Sequence, residues 1–168
     1  MENLFKKILQ IFTSKREEMN IAHKRVLPLN ELLTDRWEKA NYLGFGEGTS
    51  VYDSSIVIGN VEVGKNTWIG PYTILDGSGK LTIGDFCSIS AGVQIYSHDS
   101  VEWATTAGEK SYKYEQTIIE DNCYIGPNTI IAKGVKLGKK TTVGANSFVN
   151  KSFPKGSKIA GNPARIIN

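Results

Sequence analysis

A parallel β-helix preceded by a helical segment is what this sequence predicts, and three observations carry it. From Ile119 to Val149 every sixth residue is aliphatic: Ile119, Ile125, Ile131, Leu137, Val143 and Val149. A fixed period of that length marks a solenoid of the parallel β-helix kind. The position after each aliphatic is usually Gly or another small or turn-favouring residue, and the fifth of each hexad is small or β-branched. One hexad cannot bury its own aliphatic side chain, but stacked coils can, each resting on the coil below. The third observation is composition, with 17 Gly among 168 residues, as a turn-rich all-β chain requires. That length is enough for one domain with a real core.

Composition also excludes. The formal charge is only +3, too small to argue for a nucleic-acid footprint. No apolar run has the length of a spanning helix. The N-terminus lacks the uninterrupted apolar stretch and small-residue cleavage site of a secretory signal. Two cysteines do not make the disulfide framework of a small secreted scaffold. A cytoplasmic location is expected.

Residues 1–44 read as a helical cap. Leu4, Phe5, Ile8, Leu9 and Phe12 fall at helical spacing on one face, which predicts a helix from Met1 to about Asn20. A helix docked on its own domain or on a neighbouring subunit accounts for that face, in preference to one lying on a membrane surface. Pro28 interrupts the chain, and Leu29 to Lys39 predicts a second short helix with Asn30 as N-cap. Gly44-Phe-Gly-Glu-Gly48 is a turn-rich lead-in to the repeat, and His23 reads as an ordinary surface residue.

Residues 45–154 hold the repeat. Projected backwards, its first positions are Phe45, Val51, Val57, Val63, Ile69, Leu75, Ile83, Ile89 and Ile95, and they resume at Ile119. With three hexads to a triangular turn this gives about five coils, the ladder ending at Lys151-Ser-Phe-Pro154. The period fails twice, at Asp76-Gly77-Ser78-Gly79-Lys80 and at residues 101–118. Both failures fall at the same step of the triangle, one coil apart, so both leave from one corner. Insertions sharing a face often mark the binding side of a solenoid. The same register places Cys87 and Cys123 at fifth positions in adjacent coils, which predicts two buried thiols stacked inside the prism rather than a redox or metal site.

His98 is the one histidine within the repeat, at a fourth position facing out, immediately before the long insertion. An imidazole suits general-base work near neutral pH. Chemistry that needs only a base is proton removal from a hydroxyl or amine attacking a thioester. The sequence has no second His nearby and no Cys pair at ligand spacing, so no metal is expected. Both Gly-x-Gly pairs, Gly44-Phe-Gly46 and Gly77-Ser-Gly79, read as turns. Lys80 and Asp99 border the interrupted corner and are acceptor-binding candidates, as is Trp103 in the insertion. Trp103, Tyr112 and Tyr114, beside Glu102, Lys110 and Lys113, suit a sugar ring that packs its C–H face on an aromatic, or else anchor the loop on a neighbouring subunit. The tail, residues 155–168, with Lys151 just before it, carries a basic cluster of Lys151, Lys155, Lys158 and Arg165 that would attract a phosphate-bearing molecule.

These residues resemble the hexapeptide-repeat acyltransferases, specifically the acetyltransferases that act on sugars. The resemblance rests on the ladder, on Ile95-Tyr-Ser-His98-Asp, on Cys123 to Val135, and on Val143 to Lys151 followed by Gly161-Asn-Pro-Ala-Arg-Ile-Ile167. It covers about two thirds of the chain and implies left-handed coiling, a homotrimer with active sites between subunits, and acetyl-CoA as co-substrate. It implies His98 as general base and Asp76 in a region that meets the acceptor. It further implies a coenzyme A track along Ala132, Ala145, Asn150, Lys151, Pro163 and Arg165. Pro127 stands where relatives often have an oxyanion donor, and proline has no N–H, which turns attention to Gly126 or another amide. The N-terminal cap does not match that of the maltose and galactoside acetyltransferases. A nucleotide-activated sugar or surface-polysaccharide precursor is therefore the expected acceptor. The alternatives are a xenobiotic (antibiotic) O-acetyltransferase and a non-catalytic β-helix scaffold.

Overall fold

A computed structural model describes the backbone of residues 2–167 and the side chains of residues 3–167. Its body is a three-faced parallel β-helix. The first face stacks Val51, Ile69, Ile89, Ile125, Val143 and Ile159; the second Val57, Leu75, Ile95, Ile131 and Val149; the third Val63, Ile83, Ile119, Leu137 and Phe153. Side chains of these residues fill the prism, and most are wholly buried. The inward positions are aliphatic because a parallel ladder puts every first position of one face in a single column, with water excluded on all sides.

The ladder runs further than its sequence period. Phe153 follows Val149 by four residues and bridges to Leu137, and Lys158–Ala160 pairs in parallel with Thr142–Val143. The first face therefore has six rungs, and the prism about six coils instead of five. The shortened step at Lys151–Phe153 breaks the period, which hides the last coil from a strict count of sixes. Arg165–Ile166 then turns back antiparallel on that strand and closes the end.

The first interruption is not a turn. Ile74–Ile83 is one strand that crosses the corner, paired with Ile56–Val63, and its two extra residues are absorbed as a register shift opposite Gly59 and Val61. Glycine is needed here by close approach: a Cβ on Gly77 would sit 2.2 Å from the Asn60 carbonyl oxygen, and one on Gly79 2.3 Å from that of Ser97. The second interruption folds back on itself. After His98–Asp99 comes a short helix, Val101–Thr105, and Lys113–Tyr114 then returns antiparallel to His98–Asp99.

The N-terminal segment forms three helices, α1 (Glu2–His23), α2 (Leu29–Leu33) and α3 (Arg36–Tyr42). Met1 lies outside the described residues. The predicted second helix is broken in two because Asp35 caps α3, its carboxylate accepting from the amides of Trp37 and Glu38. Asn30 lies within α2, and Pro28 holds its N-cap position. Glu31 ties the segment to the first coil by accepting from the amides of Asp53 and Ser54. The apolar stripe of α1 is not packed on the prism: Leu4, Phe5, Ile8 and Leu9 are all exposed. No helix among the described residues is long and apolar enough to cross a membrane.

Candidate functional site

The interrupted corner brings Asp76 behind His98. Strand Ile74–Ile83 carries Asp76 one position past Leu75, and the next coil carries Ser97 and His98 just past Ile95, its rung partner. Asp76 is 1 % exposed. Its Oδ1 accepts from the Ser78 hydroxyl at 2.5 Å and the Ser78 amide at 3.0 Å. Its Oδ2 accepts from the Ser97 amide at 3.0 Å and lies 2.5 Å from His98 Nδ1. Burial by itself would raise this carboxyl's pKa, but the Ser78 hydroxyl, Ser97 amide, His98 ring and Ser78 amide outweigh it and lower it to about 2. An ionised carboxylate can only accept, so Nδ1 of His98 carries the proton and Nε2 presents its lone pair. The His98 side chain is 30 % exposed, and so able to meet a ligand. The Ser97 hydroxyl completes the network, donating to the Asp76 carbonyl at 2.7 Å and accepting from the Gly79 amide at 2.8 Å.

His98 opens on a cleft of about 360 Å³ floored by Tyr96, Ile130, Ala132 and Phe148, with Asp99, Val101 and Lys133 at its rim. Ile130 and Phe148 are outward residues of successive second-face rungs, so a flat apolar strip leads away from the imidazole. The insertion is fastened over the corner at both ends: Lys133, from the following coil, pairs with Asp99 at 3.6 Å and closely with Glu115. Tyr112 and Tyr114 lie nearly parallel to the His98 ring at 6.2 and 5.9 Å, and Trp103 meets Tyr112 edge-on at 5.5 Å. Glu102 holds Lys113 and, at 3.6 Å, Lys110 on the same loop.

The sequence-predicted residues divide. His98, Asp99 and Ala132 share the cleft. Trp103 stands above it through Tyr112. Asp76 is inside the wall, its oxygens committed to Ser78, Ser97 and His98, so it serves the imidazole and does not reach an acceptor. Lys80 is paired with Glu62 at 3.0 Å along the long strand and does not line the cleft. Gly126 and Ala145 stack one coil apart, where a Cβ on Gly126 would lie 2.6 Å from the Ala145 amide. The Gly126 amide is spent on the Val143 carbonyl at 2.9 Å, so it is not free to meet an oxyanion. Asn150 and Lys151 are exposed beyond the last second-face strand, and Lys151 lies over the Phe153 ring at 5.5 Å. The segment holding Pro163 and Arg165 is laced to the cleft floor: the Phe148 amide donates to Gly161 and the Ala164 amide to Phe148. Arg165 donates to the Ala164 carbonyl at 2.8 Å.

Sequence reasoning missed Ser78, Ser97, Lys133 and Glu115. The register was the available signal for the first two, since it already put Asp76 and Ser97 one coil apart at the same corner. No group of three or more His, Cys, Asp or Glu side chains among the described residues could hold a metal ion. A second cleft, of about 390 Å³ among the N-terminal helices, holds His23 with Arg25 and Arg36.

Residues 116–151 match the sequence profile of the family described as bacterial transferase hexapeptide (six repeats). This chain is a hexapeptide-repeat protein. WcaF of Escherichia coli (strain K12), assigned by name to colanic acid biosynthesis as an acetyltransferase, is 28% identical over 123 residues, which cover 63% of this chain and 68% of that protein. Among solved structures, AntD, an N-acyltransferase from Bacillus cereus in complex with dTDP and coenzyme A, superposes with a TM-score of 0.65 at 21% identity, covering 78% of this chain and 87% of its own. A hexapeptide-repeat acetyltransferase from Vibrio cholerae, VCA0836, superposes with a TM-score of 0.61 at 23% identity and covers 99% of this chain and 90% of its own.

Proposed function

We propose that this protein is an acetyl-CoA-dependent acetyltransferase acting on a hydroxyl or amine of a sugar, with a nucleotide-activated sugar or surface-polysaccharide precursor as acceptor. The observation that carries the reading is the buried Asp76 carboxylate bonded to Nδ1 of a half-exposed His98 at the end of an apolar cleft. A scaffold has no use for a fully hydrogen-bonded carboxylate behind an outward-facing imidazole. The similarity to WcaF, and to a structure solved with dTDP and coenzyme A, agrees with it.

Acetyl-CoA supplies an acetyl group already joined to a good leaving group, so the protein need supply only a base and a place to react. Nε2 of His98 takes the proton of the acceptor hydroxyl or amine as it attacks the acetyl carbonyl. Asp76 fixes the ring in that tautomer and stabilises the imidazolium, which then returns a proton to the departing sulfur. The strip formed by Ala132, Ile130 and Phe148 suits an apolar arm. Continuing along it, the Gly161–Ala164 segment, Lys151 and Arg165 suit phosphates, with Ala145 and Asn150 beside them. Trp103 and Tyr112 offer an aromatic platform for the acceptor. In a homotrimer the open second-face cleft would be closed by a neighbouring prism, completing three sites between subunits in the cytoplasm.

The test is a mass-spectrometric screen of nucleotide sugars, with chloramphenicol-like acceptors alongside, each incubated with acetyl-CoA. A gain of one acetyl group on a sugar is expected. Acetylation of the antibiotic panel alone would replace the acceptor class, and absence of acetyl-CoA binding by calorimetry would sink the enzymatic reading.

A further inference from the structure

Helix α1 carries an apolar stripe that nothing in the chain covers. At 100° per residue, Leu4, Phe5, Ile8, Leu9, Ile11 and Phe12 fall within an arc of about 160°. The first five are exposed, Leu4 and Phe5 by 64 and 68 %. Clustered exposure of this kind marks a contact surface.

Two kinds of occupant fit an apolar helix face, another helix or a lipid surface, and the details separate them. A helix partner would need a narrow seam sustained over three or four heptads. Here the stripe is wide and ends at Phe12; one turn further on, the same side presents Lys15 and Arg16. Charge points the same way. All four charged side chains of residues 3–16 are basic: Lys6, Lys7, Lys15 and Arg16. Lys6 and Lys7 stand at the two borders of the stripe, where long cationic side chains can reach outward while their stems cover apolar surface. Arg16 lies over the Phe12 ring at 5.0 Å, at the end of the stripe. Acidic residues begin only at Glu17, and Glu18 pairs with Lys15 at 2.9 Å. The wide apolar face, two aromatic rings and cationic borders are the pattern of a helix lying in the plane of a membrane interface.

We propose that α1 binds an anionic phospholipid surface, its apolar face among the upper acyl chains and Lys6, Lys7 and Arg16 at the headgroup phosphates. The inference stands apart from the acyl-transfer reading, since none of these residues belongs to the His98 site. One such helix gives reversible attachment, strengthened by negative surface charge and weakened by salt.

The test is co-sedimentation of the full chain with vesicles of phosphatidylcholine alone, or of equal parts phosphatidylcholine and phosphatidylglycerol. Wild-type protein is expected to bind the anionic vesicles at least about tenfold more strongly than the neutral ones, with the difference shrinking as salt is raised. The double variant Phe5→Asp/Ile8→Asp is expected to lose at least about tenfold in binding, with an unchanged circular dichroism spectrum. Lys6→Glu/Lys7→Glu is expected to weaken attachment to anionic vesicles only. Failure of the wild type to bind anionic vesicles overturns the proposal, as does undiminished binding by Phe5→Asp/Ile8→Asp. Sedimentation velocity without lipid guards against the other occupant: if that double variant dissociates an assembly that the wild type forms, the stripe belongs to a second copy of this chain.

Discussion

Cys87 and Cys123 meet across adjacent coils inside the prism, and Asp76 and His98 meet across adjacent coils at its corner. The two pairs are built by the same register and reach nearly the same burial on at least one side: Cys123 and Asp76 are each 1 % exposed. Their ionisation goes opposite ways. The Cys123 thiol is pushed up, by its hydrogen bond with Cys87 and by burial, and each sulfur faces only carbonyls, of Glu120 at 3.3 Å and Gly138 at 3.4 Å. Asp76 is pulled down because four donors converge on it. Burial sets the stakes and the partner groups decide the sign. The corner differs because the inserted residues let the chain leave the prism at His98, so one side of the pair faces solvent. The thiol slot stays closed.

The sharpest way to break this contrast is to remove the outward member. His98→Ala is expected to lower turnover by about 10²–10⁴ while the thermal midpoint and acetyl-CoA binding stay near wild type, because the ring lies at the rim and carries no core contact. Turnover near normal in steady-state assays would remove the base from the corner.

Asp76→Asn tests the inner member with less disturbance of shape. Turnover is expected to fall by about 10²-fold, because a neutral amide no longer stabilises the imidazolium. Stability gives an independent readout. The carboxyl sits at about 2 in the folded chain against an ordinary value of 3.8. Its contribution is therefore complete above about pH 4 and lost as the pH falls toward 2, for a total of about 2 kcal/mol. Denaturant unfolding at pH 5 and at pH 2.5 should show the wild type losing that increment and the variant not. Equal acid sensitivity of the two proteins would mean that the donors around Asp76 do not hold its charge.

A smaller effect is expected one layer out. Tyr112 lies against both His98 and Trp103 without a hydrogen bond to either. Tyr112→Ala should raise the acceptor KM by about three- to tenfold and leave the acetyl-CoA KM unchanged. A fall in kcat at constant KM would make the ring a support for His98 instead of a platform for the sugar.

How much of this could be read from the sequence depends on what each residue answers to. The first-position aliphatics answer only to the period, so the faces, the stacked thiols and the shared corner of both interruptions were legible. Phe153 and Ile159 answer to the closing of the prism, which uses a four-residue step, and so the sixth coil was not. Asp35 displaced Asn30 as a helix cap because only Asp35 has free amides in front of it, a fact of local backbone path. Asp76 shows the limit most clearly. Register put it beside His98, yet an acidic residue in a polar stretch reads equally as a ligand for substrate. Only the strand that carries Gly77 and Gly79 hard against neighbouring backbone turns the carboxylate inward.

The smallest expected effect tests the closed slot. Cys87 and Cys123 belong to a column of fifth positions that otherwise holds Thr49, Thr67, Thr141 and Ser157. The hydroxyls of this column donate to carbonyls at the corners, Thr49 to Gly64 at 2.7 Å and Thr67 to Gly84 at 2.8 Å. They also accept from the amide one coil on, Thr49 from Thr67 and Thr67 from Cys87, both at 3.0 Å. A threonine at position 87 would find the Glu120 carbonyl where the thiol now points and the Cys123 amide behind it, so the substitution replaces a weak donor with a stronger one in a slot the chain already fills with threonine. Cys87→Thr and Cys123→Thr are each expected to shift the thermal midpoint by less than about 3 °C, corresponding to about 1 kcal/mol or less, and to leave turnover unchanged. In the wild type, neither thiol should react with an alkylating reagent until the chain unfolds. A large loss of activity in either variant, or rapid native-state alkylation, would mean that the slot communicates with the corner and that the two stacks are not separate devices.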